Sequence, residues 1–210
     1  MPASPTKAPA KTPTNAPRLP ARERLLQSAD ELFYSEGVQS VGIDRIIEHA
    51  GVAKASLYNS FGSKEELVHA YLEQRHEVIA ARITAAVDAQ RTPWAKILAI
   101  FDSLAESMSR PGYRGCAFAA ASAEAKPGGC VEESTRSYRA WRRELLTDLA
   151  ARAGARDPGL LASQLQLVYD GAASSGNLDR DPSAAANARA AAETLLSASI
   201  PAKARPRSSR

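Results

Sequence analysis

GIDRIIEHAGVAKASLYNSF, residues 42–61, carries the pattern that decides the fold. Ile43, Ile46, Ile47 and Ala50 recur at i, i+3, i+4 and i+7, which puts them on one face of a short helix. Gly51 follows the last periodic position. A glycine there adopts the left-handed backbone that other residues avoid, so the chain reverses over very few residues. Val52 then closes a small core. Leu57 and Phe61, four apart, supply the buried face of a second helix. Lys54, Ala55, Ser56, Tyr58 and Asn59 are left on or near the opposite side.

That outer face has the chemistry of a duplex reader. In a helix-turn-helix the second helix enters the major groove, so its exposed side needs small residues for close approach and donors for phosphates and base edges. Ala55 and Ser56 are small, Lys54 and Lys64 suit phosphates, the Tyr58 hydroxyl can donate to one, and the Asn59 amide suits a base edge. Gly42 and Ile43, which open the first helix, complete the expected DNA-contacting set. Periodicity alone leaves an ordinary helical hairpin with a solvated polar face equally open.

Residues 23–67, and above all GVAKASLYNSFGSKEEL at 51–67, resemble the amino-terminal domain of the TetR/AcrR family of transcriptional regulators. The shared features are a glycine turn, a basic start to the recognition helix, Leu-Tyr, and Phe-Gly-Ser-Lys with an acidic pair before Leu67. Three positions depart from the family's habit. Gly42 stands where Ser or Thr is frequent, Ala53 where Ser often precedes the basic residue, and Ser60 where His often precedes the Phe. The first two remove a hydroxyl that could cap a helix or touch a phosphate.

The resemblance implies an all-α protein: a three-helix DNA-binding domain with a helix-turn-helix, followed by a helical ligand-binding and dimerisation domain. It implies a homodimer formed by the last two helices, a palindromic double-stranded DNA operator, a small lipophilic or aromatic effector that releases it, a repressor's role, and no catalysis or cofactor. The boundaries read as a basic arm at 1–20, the DNA-binding domain at 21–66, the ligand and dimerisation domain at 67–200, and a basic tail at 201–210.

Composition agrees with a globular chain: 210 residues with 44% hydrophobic content are long enough for a substantial core. The net charge of +4 is misleading on its own. Three cations without an acid lie in the first twenty residues and four in the last ten, so the body at 21–200 carries −3. The basic ends therefore account for the high pI, and the inference to DNA rests on the motif. The Pro- and Ala-rich arm lacks the apolar bulk to repay ordering. It has no apolar signal region, and no run approaches the ~18 apolar residues of a membrane span. A cytoplasmic protein is expected.

Helical periodicity continues beyond the motif. Leu25, Ala29, Leu32 and Phe33 mark a helix at 21–36 that ends at Gly37. Ser63 with Glu66 predicts the start of a long helix running to about residue 90, and Pro93 opens another. RPGYRG at 110–115 reads as a loop, a small-residue helix follows to KPGG at 126–129, and helices are expected at 131–153, 160–176 and 183–199. An effector pocket is expected among Tyr71, Phe101, Leu104, Met108, Phe118, Tyr138, Trp141 and Tyr169, residues that equally serve as core.

Other chemistry is sparse. Cys116 and Cys130 lack metal-ligand spacing and read as inert buried thiols, with a redox-sensing regulator as the alternative; a helical interaction module without DNA binding is the other. His69 and His76, seven apart around Glu73, read as solvated helix surface before a metal site, and His49 has no evident partner.

Overall fold

The computed structural model describes residues 19–181 and 183–202. The arm and tail expected at 1–20 and 201–210 lie outside the described residues, apart from 19, 20, 201 and 202. Among the described residues there are nine helices and no strand: α1 Ala21–Glu36, α2 Ile43–Ala50, α3 Lys54–Phe61, α4 Lys64–Asp88, α5 Pro93–Met108, α6 Ala117–Glu124, α7 Cys130–Arg152, α8 Pro158–Leu178 and α9 Ala184–Ser199.

Local chemistry sets the helix ends. Ser63 Oγ accepts from Glu66 N at 3.1 Å, Thr92 Oγ1 from Ala95 N at 3.2 Å, and Asp157 Oδ1 from Leu160 N at 2.9 Å, each satisfying an N–H of a first turn. Pro93 and Pro158 occupy the first helical turn, where a missing N–H costs nothing. Gly51 is left-handed at φ 61°, ψ 44°. Its N–H bonds Glu48 O and that of Val52 bonds Ile47 O, the paired closure that ends a helix and turns the chain.

Two apolar clusters organise the helices. The first joins Leu25, Ala29, Leu32 and Phe33 of α1 to Ile46, Leu57 and the start of α4 at Leu67, Val68, Tyr71 and Leu72. It also takes in Phe118 of α6 and Val131 and Tyr138 of α7, so the core behind α2 and α3 extends past residue 66. The second joins Ile83 and Val87 at the end of α4 to α5, the second half of α7, α8 and α9. Helix α4, about 37 Å long by its residue count, belongs to both. Ile79, Cys116 and Trp141 pack against both clusters and tie them together. No helix among the described residues is long and apolar enough to cross a membrane.

Candidate functional site

The helix-turn-helix presents its polar side outward because its apolar side is consumed by the first cluster. Leu57 is fully buried, and Phe61 and Val52 are half-buried against the same core. On the other side Lys54, Ala55, Tyr58 and Asn59 are exposed, Tyr58 at 45%, and Ser56 and Lys64 are half-buried. Gly42 is exposed at the N-cap of α2, whereas Ile43 turns partly inward against the core. Neither Gly42 nor Ala53 makes a side-chain cap, so the first N–H groups of α2 and α3 are left without one.

The turn is braced from α1. The Arg24 guanidinium donates to Ala50 O at 2.8 Å and Gly51 O at 2.9 Å, placing a cation on the carbonyl end of α2. Arg22 lies over the Phe61 ring, 5.0 Å from its centroid. Lys54 Nζ donates to Asp44 Oδ1 at 3.0 Å, and this hydrogen bond, then the Asp44 charge, holds the lysine pKa above its ordinary value. The pair is exposed on both sides, so water and salt screen it. His49, expected without a partner, sits 3.0 Å from Ser28 Oγ and 3.7 Å from Glu31, because α2 lies against α1.

A second feature lies between the two clusters. A cavity of about 240 Å³ opens among α4, α5, α7, α8 and the loop before α6. Three of the eight residues expected to line a pocket do so: Leu104, Tyr138 and Tyr169. The others are placed by packing. Tyr71 lies edge-on to Phe33 at 5.5 Å, Phe101 edge-on to Tyr169 at 6.0 Å, and Phe118 stacks on Tyr138 at 4.1 Å. Trp141 packs against His76, and Met108 borders a separate recess with Tyr113 and Gly176. Periodicity passed over Tyr34, Arg75, Arg82 and Tyr113, which also line the cavity, because they are polar or lie in a loop.

A polar network stands behind the lining residues Tyr138, Tyr169 and Asp170. Arg142 is 1% exposed; it donates to Tyr138 Oη at 2.8 Å and to Asp170, and it lies 4.2 Å from the Tyr169 ring centroid. Burial opposes its charge, but its surroundings, with the Asp170 carboxylate paired to it, outweigh burial and hold the guanidinium protonated. Arg139 shares Asp170 at 2.6 Å. Burial pushes the Tyr138 phenol well up and raises that of Tyr169, so both remain neutral. Arg142 occupies the stripe Tyr138, Arg142, Leu146, Leu149, and an arginine at that spacing is the signal sequence reading missed.

The same wall grips the amino-terminal helices. Tyr34 of α1 donates to Gly115 O at 3.0 Å and accepts from Arg114 N at 2.9 Å. Arg75 of α4 stacks on the Tyr34 ring at 3.9 Å and pairs with both carboxylate oxygens of Asp30 in α1, the Nη2 contact at 3.0 Å. Glu124 of α6 accepts from Gln39 N at 2.7 Å.

The remaining chemistry is structural. His69 and His76, expected on solvated surface, face α7: His69 bonds Ser134 Oγ at 2.9 Å, and His76 lies edge-on to Tyr138 and Trp141. No cluster of potential metal ligands occurs among the described residues. Both cysteines are free, and burial, then Glu66, raises the Cys130 pKa, opposite to what a reactive thiolate requires.

Comparison with known proteins follows this geometry. The sequence profile of "Bacterial regulatory proteins, tetR family" matches residues 25–71, from the first buried leucine of α1 to the tyrosine that closes the head core. The solved structure of SCO4454, a TetR-family transcriptional regulator from Streptomyces coelicolor, is 36% identical, covers 85% of this chain and 95% of that one, and superposes with a TM-score of 0.81. The chain belongs to the TetR family. A second family structure, sav143 from Streptomyces avermitilis, is 32% identical over 86% of this chain and 98% of its own, with a TM-score of 0.78. The transcriptional activator FasR of Mycolicibacterium smegmatis is 35% identical over 104 residues, 46% of this chain and 47% of FasR, so the chain spans about half the length of that relative. As a TetR-family member this protein is a DNA-binding transcriptional regulator and not an enzyme.

Proposed function

We propose that the protein acts as a homodimer on a palindromic operator, represses transcription from it, and leaves it when a small effector fills the cavity beside Arg142. The observation that carries this reading is the α3 surface: Lys54, Tyr58 and Asn59 stand exposed on a helix whose opposite face is anchored by a fully buried Leu57. Gly42, Ile43, Ala55, Ser56 and Lys64 complete the DNA-facing set, with uncapped N–H groups of α2 and α3 available to phosphates.

Dimerisation is supported by the outer face of α8. Leu160, Leu167 and Leu178 are exposed at 57%, 69% and 78%, and Gly171 and Ser174 lie exposed between them. Their spacing of seven and eleven puts all three leucines on one stripe, with small residues where a second backbone approaches. Exposed Ala186, Ala190 and Thr194 extend a narrow surface along α9, which packs against α8. A two-fold pair of heads then reads half-sites about 34 to 36 Å apart, or at a spacing the dimer fixes.

Release follows from the shared wall. An effector touching Tyr138, Tyr169 and Leu104 also reaches Tyr34 and Arg75, the residues that hold α1. A ligand that binds one head orientation better by about 1 to 3 kcal/mol changes DNA affinity roughly fivefold to more than a hundredfold. Selection of bound duplexes from a random pool tests the reading: an inverted repeat is expected, and failure to retain any duplex at low salt overturns it. The sign needs its own assay because FasR is named an activator. Higher output from an operator-bearing promoter in the protein's presence would overturn repression.

A further inference from the structure

The charges around the cavity do not balance, and their imbalance specifies the ligand. Four charged side chains line it: Arg75, Arg82, Arg110 and Asp170. Arg75 is taken by Asp30, and Arg110 by Glu106. Asp170 is shared by Arg139 and Arg142, two cations on one carboxylate. Arg82 differs from all of these. Its Nε donates to Ser103 Oγ at 3.1 Å, which fixes the group, while its two terminal nitrogens have no hydrogen-bond or ion-pair partner among the described residues. Arg82 as a residue is half-buried, so water screens its charge less than that of a fully exposed side chain.

The rest of the lining is apolar or neutral. Val78, Ile79, Leu104 and Ala173 supply hydrocarbon. The Tyr113 hydroxyl donates to Ala173 O, and burial keeps this phenol, like Tyr138 and Tyr169, uncharged. Among the described residues no carboxylate other than the doubly paired Asp170 lines the space. A cationic effector would meet an unpaired arginine there, and a wholly neutral one would leave that arginine's terminal donors unsatisfied in a drier site.

We propose that the effector is a small carboxylate with an apolar body, its anion held end-on by the two terminal nitrogens of Arg82 and its body packed against Val78, Ile79 and Leu104. This rests on the cavity being the effector site. Its volume of about 240 Å³ equals that of roughly eight waters and restricts the body to a single ring or a short chain. The planar fork of a guanidinium matches a carboxylate in geometry as well as charge.

The test uses the full-length protein and acid–amide pairs of one shape: benzoate with benzamide, phenylacetate with phenylacetamide, cinnamate with cinnamamide, and hexanoate with hexanamide. Affinity is read by titration calorimetry. Occupancy of the cavity is read separately by protection of the Cys116 thiol, which lines it, from N-ethylmaleimide in a Cys130→Ser background. At least one carboxylate should bind tenfold to a hundredfold more tightly than its amide and slow Cys116 labelling. Arg82→Met should erase that preference, and Arg82→Lys should restore part of it, which separates loss of the charge from loss of the fold. Amides that bind and protect Cys116 as well as the acids overturn the charge assignment and leave the effector cavity standing. Failure of every pair to protect Cys116 up to millimolar concentration overturns both.

Discussion

Replacing Lys54 with glutamine should flatten the salt dependence of operator binding while leaving the fold unchanged. Lys54 opens α3 with its side chain 60% exposed and pairs with Asp44, whose own side chain is 85% exposed, so the substitution falls outside the core. The Asp44 hydrogen bond, followed by the Asp44 charge, raises the lysine pKa, so the ammonium is fully formed at neutral pH and ready for a phosphate. Each neutralised phosphate contributes a slope of about −0.9 to log K against log salt, so loss of one contact from each of two heads flattens the slope by about 1.8. Over a fourfold rise from about 50 to 200 mM salt, the unaltered protein should therefore lose roughly twelvefold more affinity than the variant. Asp44→Asn should act in the opposite direction on affinity, because it removes a carboxylate that competes with phosphate for the same ammonium. Fluorescence anisotropy with a selected duplex at four salt concentrations reads both effects, and circular dichroism checks the helices. A Lys54→Gln slope equal to that of the unaltered protein would refute the phosphate contact.

Four further outcomes follow from particular contacts. Arg142→Met breaks a buried pair, a change that costs roughly 3–5 kcal/mol; because Asp170 keeps Arg139 at 2.6 Å, the low end is expected in urea unfolding, and an unchanged midpoint would contradict it. Tyr34→Phe removes one hydrogen bond donated to Gly115 and one accepted from Arg114. At about 0.5–1.5 kcal/mol per bond, it should speed amide exchange in the loop before α6, and unaltered protection there would show the clasp to be idle. Leu167→Glu puts a charge on the exposed α8 stripe and should shift sedimentation from dimer to monomer; a dimer of undiminished affinity would move the interface elsewhere. Cys130, its pKa raised by burial first, should alkylate more slowly at pH 8 than a free thiol. Its rate should still climb above pH 9, and a plateau below that pH would refute the shift.

The helix-turn-helix was legible because its determinants are local. Ile46, Ala50 and Leu57 announce their burial by spacing, and Gly51 announces a left-handed turn by having no Cβ. The cap at Ser63 was equally readable, since it acts within its own first turn. The cavity was only partly legible. Leu104, Tyr138 and Tyr169 follow apolar periodicity, but Tyr71, Phe101 and Phe118 follow the same rule into solid core. What separates these two groups is whether a neighbour fills the space opposite, and no spacing along one helix records that. His69 and His76 carry the same lesson, since α7, some sixty residues later in the chain, covers them.

Sequence alone determined about where helices begin and end, which face of each is apolar, and which short segment forms the helix-turn-helix, because those properties depend on residues within one or two turns. Only the tertiary structure decided that Arg142 and Asp170 meet across α7 and α8, that Arg75 reaches Asp30 on α1, and that Arg82 is left without an acid, among the described residues, beside a cavity. Long-range pairing of charges depends on how whole helices cross, and crossing is fixed by the sum of many apolar contacts that no single stretch contains.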